Sequence, residues 1–345
     1  MSDAGPMPSP ALPRRAALAL LVGSAVARPA RAQAVLSDAP ILLIGGPEGG
    51  RLARWGASLT TALLPALPAS TRLQQTPVGG EDGVTGANQF TTRVAPDGNT
   101  LLLTPADAAL AWMVGDPRAR FDAAKWLGVL AATTPCVVCG RAAAPGERLR
   151  VGMAGPVGPD LAALLGLELS GYAAAPVFGV LDQDAAAQAL ASRAVDAVLL
   201  RGARIAANLG PLAQLGVAPL FTLGGPGGEG RDAFLPEVPT FSEFAAAHRA
   251  APGAGLLAAW RGVAAVAQTE CVLVLPQLTP AALVALWRQA ATHAATAPDL
   301  VDPTGRTRIV AGPEAHEVAH ALAPDVLALT ALRSWLAERL NWKPV

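Results

Sequence analysis

Past residue 40 the chain alternates short apolar runs with segments of helical spacing. Ile41–Ile44 is an unbroken apolar run of strand length, followed by a glycine-rich turn and a helix from about Arg51 to Leu64. The order repeats. A strand near Leu73 leads into a loop holding Gly79, Gly80, Gly83 and Gly86. A helix over Ala87–Val94, a Pro96-Asp97-Gly98 turn and a strand at Thr100–Thr104 follow. Val129–Ala131 and Cys136–Cys139 read as strands. "RLRVGMAGPVGPDLAALLGLEL" reads as strand, loop, helix, and "DAAAQALASRAVDAVLLRG" as a helix and then a strand at Ala197–Leu200. "LGGPGGEGRDAFLPEVP" is a long loop, and the C-terminal third reads as mainly helical. Strands alternating with helices predict an α/β fold with a mostly parallel sheet. Ligands in such folds sit at the carboxyl ends of strands, where the glycine turns fall.

The 345 residues suffice for two domains, and a chain 52% hydrophobic and 15% charged is globular. A formal net charge of zero argues against a nucleic-acid partner. Before residue 33, Arg14-Arg15, an apolar run Ala16–Ala27 and Ala30-Arg31-Ala32 follow the order of a cleavable signal peptide, residues 1–32, cut near Ala32. The arginine pair and mild alanine-rich core suit twin-arginine export, with an ordinary secretory signal as the alternative. Cleavage removes one Asp and four Arg, moving the formal charge from 0 to −3. The expected product is a soluble periplasmic protein. Cys136, Cys139 and Cys271 make an odd set. Cys136 and Cys139 lie three apart on a strand and so point to opposite faces, which favours buried thiols over a local bridge. Whether any disulfide forms stays open.

Two motifs carry candidate chemistry. "GGPEGGRL" has the Gly45-x4-Gly50 spacing of a phosphate loop, but Arg51-Leu52 stand where Lys and Ser or Thr would be needed. What remains is a glycine turn opening a helix, whose free N–H groups and dipole suit an anion. The second glycine loop strengthens that reading. His316-Glu317-Val318-Ala319-His320 has the H-E-x-x-H spacing of a zinc peptidase. The continuation with a third histidine fails, since Ala323 and Val326 stand at its glycine and histidine positions. Glu338, as a third ligand, has no supporting context. The favoured reading is two surface histidines on an amphipathic helix, away from any cleft, with no metal and no cofactor.

"GVTGANQFTTRVAPDGNTLLLTP" resembles the "G…GA…VARAAPDGYTLL" segment of the Bug family, periplasmic solute-binding proteins of tripartite tricarboxylate transporters. "AFLPEVPTFSEF" resembles the family's "LPDVPTFAE", Trp260-Arg261-Gly262 its W-x-G, and "ALASRAVDAVLL" its "LLAGQVDLMF". The resemblance runs from about Pro40 to the C-terminus. It implies a periplasmic-binding-protein-like (type II) fold, two α/β lobes closing on a small carboxylate. It implies lobe 1 at residues 35–135 and 260–345, lobe 2 at 136–259, integral membrane transporter subunits as partners, a monomer and no enzymatic activity.

Carried over, the first lobe's ligand loops are Glu48, Gly49, Gly50 and Arg51, and Gly83, Thr85, Gly86, Ala87 and Asn88. The second lobe would contribute Gly155, Gly158, Asp182 and Arg201. The family's Ser, Thr and Asp in the first loop are replaced by Arg51-Leu52, and the second lobe's serine-rich loop has become Gly155-Pro156-Val157-Gly158. With an acid lost and a base gained, Arg51 is expected to be the main charged anchor and Arg201 an opposing cation, favouring carboxylates over amino acids. Two other readings stand beside this one: an extracytoplasmic sensor for a signalling partner, and an exported zinc hydrolase.

Overall fold

The computed structural model describes Met1 and residues 35–144, 146–225, 230–248, 253–300 and 307–343. The expected signal peptide, Met1 apart, lies outside the described residues. Residues 35–345 form one compact unit. Its first part runs β1 (Ile41–Ile44), α1 (Arg51–Leu63), β2 (Gln74–Pro77), α2 (Val84–Arg93), β3 (Thr100–Pro105), α3 (Ala106–Met113) and β4 (Trp126–Thr133). Next come β5 (Cys136–Arg141), β6 (Arg148–Met153), α4 (Leu161–Leu169), β7 (Ala173–Phe178), α5 (Gln183–Ala191), β8 (Ala197–Arg201), α6 (Arg204–Gln214), β9 (Val217–Thr222) and α7 (Phe241–Ala247). The last part is α8 (Ala254–Gln268), β10 (Thr269–Pro276), α9 (Ala281–Ala294), β11 (Arg308–Ala311), α10 (Gly312–Ala321) and α11 (Val326–Leu340).

Two sheets result, ordered β11-β4-β10-β3-β1-β2 and β7-β6-β8-β5-β9. The expectation of a mostly parallel sheet is corrected. β1 pairs parallel with β2 and β3, and β6 with β7 and β8. All pairings of β5 and β10, and that of β11 with β4, are antiparallel. The cause is the path of the chain. Only Thr134 and Pro135 separate the end of β4 in one sheet from the start of β5 in the other. A strand that enters at the edge where its neighbours end must run against them. β10 re-enters the first sheet by the same route, and the Thr134 N–H donates to the Gln268 carbonyl at 2.8 Å, joining the two crossing segments.

Alternation along the strands sorts the core. Leu42, Ile44, Leu101 and Leu103 face α1 and α9, while Leu43 and Leu102 face the opposite layer. Both faces are covered, so these strands read as continuous apolar runs. The opposite layer is one continuous cluster that also takes Val138, Val151 and Leu199 of the second sheet, with Trp260 of α8 between them. The boundary expected at 259/260 falls inside α8, which serves both sheets. Among the described residues, no helix is long and apolar enough to cross a membrane.

The family-like segments turn out to be structural fastenings. Gly98 takes φ +78° in the Pro-Asp-Gly turn, and its carbonyl accepts from Trp287 Nε1 at 2.8 Å. Thr240 and Glu243 form a reciprocal cap on α7. Asp196, in the turn before β8, receives the Arg150 guanidinium at 2.8 and 2.9 Å and the Arg150 N–H at 2.9 Å. These hydrogen bonds hold its carboxyl below the usual carboxylate range. A depressed carboxyl stabilises the fold fully above its unfolded pKa of about 3.9, and the contribution is lost as pH falls through the lower folded value. Asp196→Asn is therefore expected to be less stable than the parent at pH 7. In urea titrations at pH 7 and pH 3 the gap should narrow at the lower pH; a constant gap would count against this role.

Candidate binding cleft

The carboxyl ends of β1 and β2 lead through glycine loops into α1 and α2, and β3 runs directly into α3, making one wall. Gly49 takes φ +70°, and α1 begins at Gly50 with no side-chain cap and no acid in its first turn. Gly83 is the left-handed cap of α2, φ +71°, and beside it Asp82 Oδ1 accepts from the Val84 N–H at 3.2 Å. The uncapped start of α1 leaves N–H groups and a positive dipole end at the wall. The two loops touch through glycine: a Cβ on Gly86 would stand 2.7 Å from Gly45 Cα.

The structure moves several expected site residues into other roles. α2 begins at Val84, three residues before the expected Ala87, because Gly83 itself turns the chain. Thr85, Gly86, Ala87 and Asn88 therefore sit on the helix. Gly86 and Ala87 are buried, and Asn88 clamps the Arg118 carbonyl and the Arg120 N–H at 2.7 and 2.8 Å. Glu48 and Thr85 are exposed.

The second wall is formed where β6, β7 and β8 end. Gly155 and Gly158 line the loop before α4, and a Cβ on either would meet nothing within 4 Å. Asp182 caps α5, accepting from the Ala185 N–H at 2.8 Å. Phe178 and Leu181 stand exposed at the end of β7, 49% and 76%, so this wall offers apolar surface as well as charge. Asp160 closes the Gly155–Gly158 loop on the Ala154 N–H at 3.1 Å, and burial pushes its carboxyl up.

Arg201, Arg51, Glu270 of β10 and Asp82 all act electrostatically on Asp107, and Arg201 acts also on Asp160. Sequence reasoning missed Asp107 and Glu270. Arg51, 63% exposed, is joined to Glu270 at 2.7 Å. Arg201 differs. It ends β8 beside Cys136 of β5, and its N–H is held by Gln183 Oε1 at 2.7 Å. Among the described residues its guanidinium has no carboxylate within ion-pair distance, and Nε is shut from solvent without a partner. Asp107, in the first turn of α3, is open to solvent yet closely walled by protein. Burial pushes its carboxyl up, opposed by Arg201 and Arg51.

Elsewhere, a cavity of about 240 Å³ lies beside the crossing segments, lined by Thr134, Pro135, Gln268, Thr269, Arg308 and the buried Asp232. Cys136, Cys139 and Cys271 are buried free thiols, each pushed up to about 12 by burial. His316 and His320 lie on α10. The expectation of two surface histidines is corrected for His316, which is half-buried with Nδ1 enclosed and without a partner among the described residues. α10 packs tightly on β4, with the Ala315 carbonyl against Gly128, which draws the neighbouring His316 inward. Glu338 is exposed on α11, and no group of three or more His, Cys, Asp or Glu among the described residues is placed to hold a metal ion.

No family model matches the sequence, and no curated protein matches it. Solved structures do. A TctC solute-binding protein from Polaromonas, solved without ligand, is 17% identical with a TM-score of 0.62, covering 88% of this chain and 98% of its own. MatC from Rhodopseudomonas palustris, solved with bound malate, is 18% identical, TM-score 0.46, covering 88% and 99%. The periplasmic binding protein BugD is 15% identical, TM-score 0.44, covering 88% and 96%. The chain, with its two sheets joined by paired crossing segments, shares its fold with the TctC solute-binding protein from Polaromonas.

Proposed function

We propose that this chain is a periplasmic solute-binding protein that captures a small carboxylate between its two sheets and presents it to a tripartite tricarboxylate-type membrane transporter. The observation that carries the reading is Arg201, half-buried with Nε shut from solvent and with no carboxylate partner among the described residues, at the carboxyl end of a strand and among the glycine loops. Leaving a cation in such a place is costly unless an anion completes it. The shared fold and the Bug-like segments support the same reading. The lobes move about the crossing segments at Thr134–Pro135 and Gln268–Thr269, which places their boundary at the end of α8 rather than at 259/260 inside it. A ligand touching both walls stabilises the closed form, and that form is what the membrane partner meets.

Arg201 is the charged anchor of this site, and Arg51, already joined to Glu270, is secondary. The uncapped start of α1 supplies N–H donors from the opposite wall. The test is a thermal-shift screen against mono-, di- and tricarboxylates, aromatic acids and amino acids. A ligand at a hundred times its Kd adds about 2.7 kcal/mol to native stability and raises the melting temperature. A screen in which no carboxylate-bearing compound raises it would contradict the proposal.

A further inference from the structure

We infer that the cavity beside the crossing segments is a second binding site, separate from the cleft, and that it takes a small organic cation with a short apolar body, its ammonium group on Asp232.

The position follows from strand order. β5 has β8 on one edge, with Arg201 opposite Cys136, and β9 on the other, with Thr222 opposite Val137. The chain leaving β9 supplies Gly224 and Asp232 to the cavity. In the first sheet β4 has β10 on one edge and β11 on the other, with Arg308 opposite Thr133. The cavity, about 240 Å³, takes its walls from the β9 and β11 side of both sheets. β4 and β5 therefore stand between it and the edge where Arg201 lies.

The walls hold one charge without a counter-charge. Asp232 is 8% exposed. Its Oδ1 accepts from the Phe234 N–H at 2.8 Å, while Oδ2 has no partner and the carboxylate no ion pair among the described residues. The two arginines of the lining do not answer it. Arg231 is held by Glu243 at 3.1 Å and by the Pro236 carbonyl at 2.9 Å, and Arg308 by Glu314 at 2.6 Å. Each of these cations is neutralised by an acid that does not line the cavity, so the charge left over is that of Asp232. Enclosing a carboxylate without a cation is costly, and burial pushes the Asp232 carboxyl up.

That balance selects the occupant. An ammonium group restores the missing charge and donates to the open oxygen. An anion would meet Asp232 with both arginines already engaged. A metal ion would need several more oxygen or nitrogen ligands, and no group of three or more His, Cys, Asp or Glu among the described residues offers them. Pro135, Phe234, Ala265, Val318 and Ala321 make the remaining wall apolar, which suits a hydrocarbon body. The volume falls below the roughly 300–1,000 Å³ of sites for drug-sized ligands, so the body is short.

The test is calorimetry on the full chain with phenethylamine and phenethyl alcohol, which share a body and differ in the head group. The wild type should bind the amine about tenfold or more tighter than the alcohol. Asp232→Asn keeps an acceptor for the Phe234 N–H and removes the charge. It should weaken the amine about tenfold and leave the alcohol within about twofold. Ala321→Phe, which puts a ring into the cavity from α10, should abolish binding of both, with a thermal melt showing that the variant is folded. Equal affinity for amine and alcohol in the wild type, no binding of the amine, an unchanged preference in Asp232→Asn, or amine binding that survives Ala321→Phe would each overturn the inference. The wild-type comparison and Ala321→Phe decide it even where Asp232→Asn does not fold.

Discussion

Trp260→Ala should destabilise the protein by about 3–5 kcal/mol, the usual cost of emptying a core site of this size. Trp260 is 3% exposed on α8, the helix shared by both sheets. Its ring lies on Phe241 of α7, centroids 3.8 Å apart, and Nε1 donates to the Ala162 carbonyl of α4 at 3.0 Å. A Cβ on Gly166 would come within 2.9 Å of Nε1, so α4 approaches as closely as it does because that position is glycine. Truncation therefore loosens α4, α7 and α8 at once. Trp260→Phe, which keeps an aromatic ring and loses the hydrogen bond, should cost less. Urea unfolding measures both, and a loss under about 1 kcal/mol for the alanine variant would show that these helices do not depend on the ring.

Arg201→Ala should weaken the tightest carboxylate found by screening ten- to a hundredfold, the loss of a charge-assisted contact of about 1.5–3 kcal/mol. Arg51→Ala should weaken it less than about fivefold, because an exposed arginine already joined to Glu270 contributes about 0–1 kcal/mol. The ranking reverses the expectation from sequence, where Arg51 stood first. Both arginines lie where the glycine loops place them, but only Arg201 has its charge free. Arg201→Lys should fall between, keeping the charge and losing the planar fork. Calorimetry on the three variants decides, and an equal or larger loss at Arg51 would contradict the assignment.

The sequence told most where apolar runs met glycine. Ile41–Ile44 has the same bounds in the structure, and α1 ends one residue before expectation, because a buried run, a glycine turn and a helical period leave little choice. It told least where punctuation was missing. β10 follows α8 with no turn residue between Gln268 and Thr269, so its apolar run merged with a helical reading. Strand direction is not written in a strand's own composition, which is why β5, β10 and β11 escaped. In the site, glycine loops were legible as loops, but Gly86 serves backbone packing and Asp182 serves a helix cap. Asp107 had a signal that went unused: an acid just past a strand's carboxyl end, opening a helix. Glu270 had none, since its partner lies 219 residues away.

Glu270 also changes what the departure from the Bug-like first loop means. Losing that loop's acid and gaining Arg51 suggested a shift from amino acids to simple carboxylates. Glu270, joined to Arg51 at 2.7 Å, offsets that added charge.

The most direct measurement is a crystal structure of the protein grown with the tightest carboxylate the screen returns. The account predicts ligand density between the two sheets, one carboxylate within about 2.7–3.2 Å of the Arg201 guanidinium nitrogens. Density in the cavity beside Asp232 and Gln268 instead, or a ligand in the cleft with its carboxylate turned away from Arg201, would contradict it.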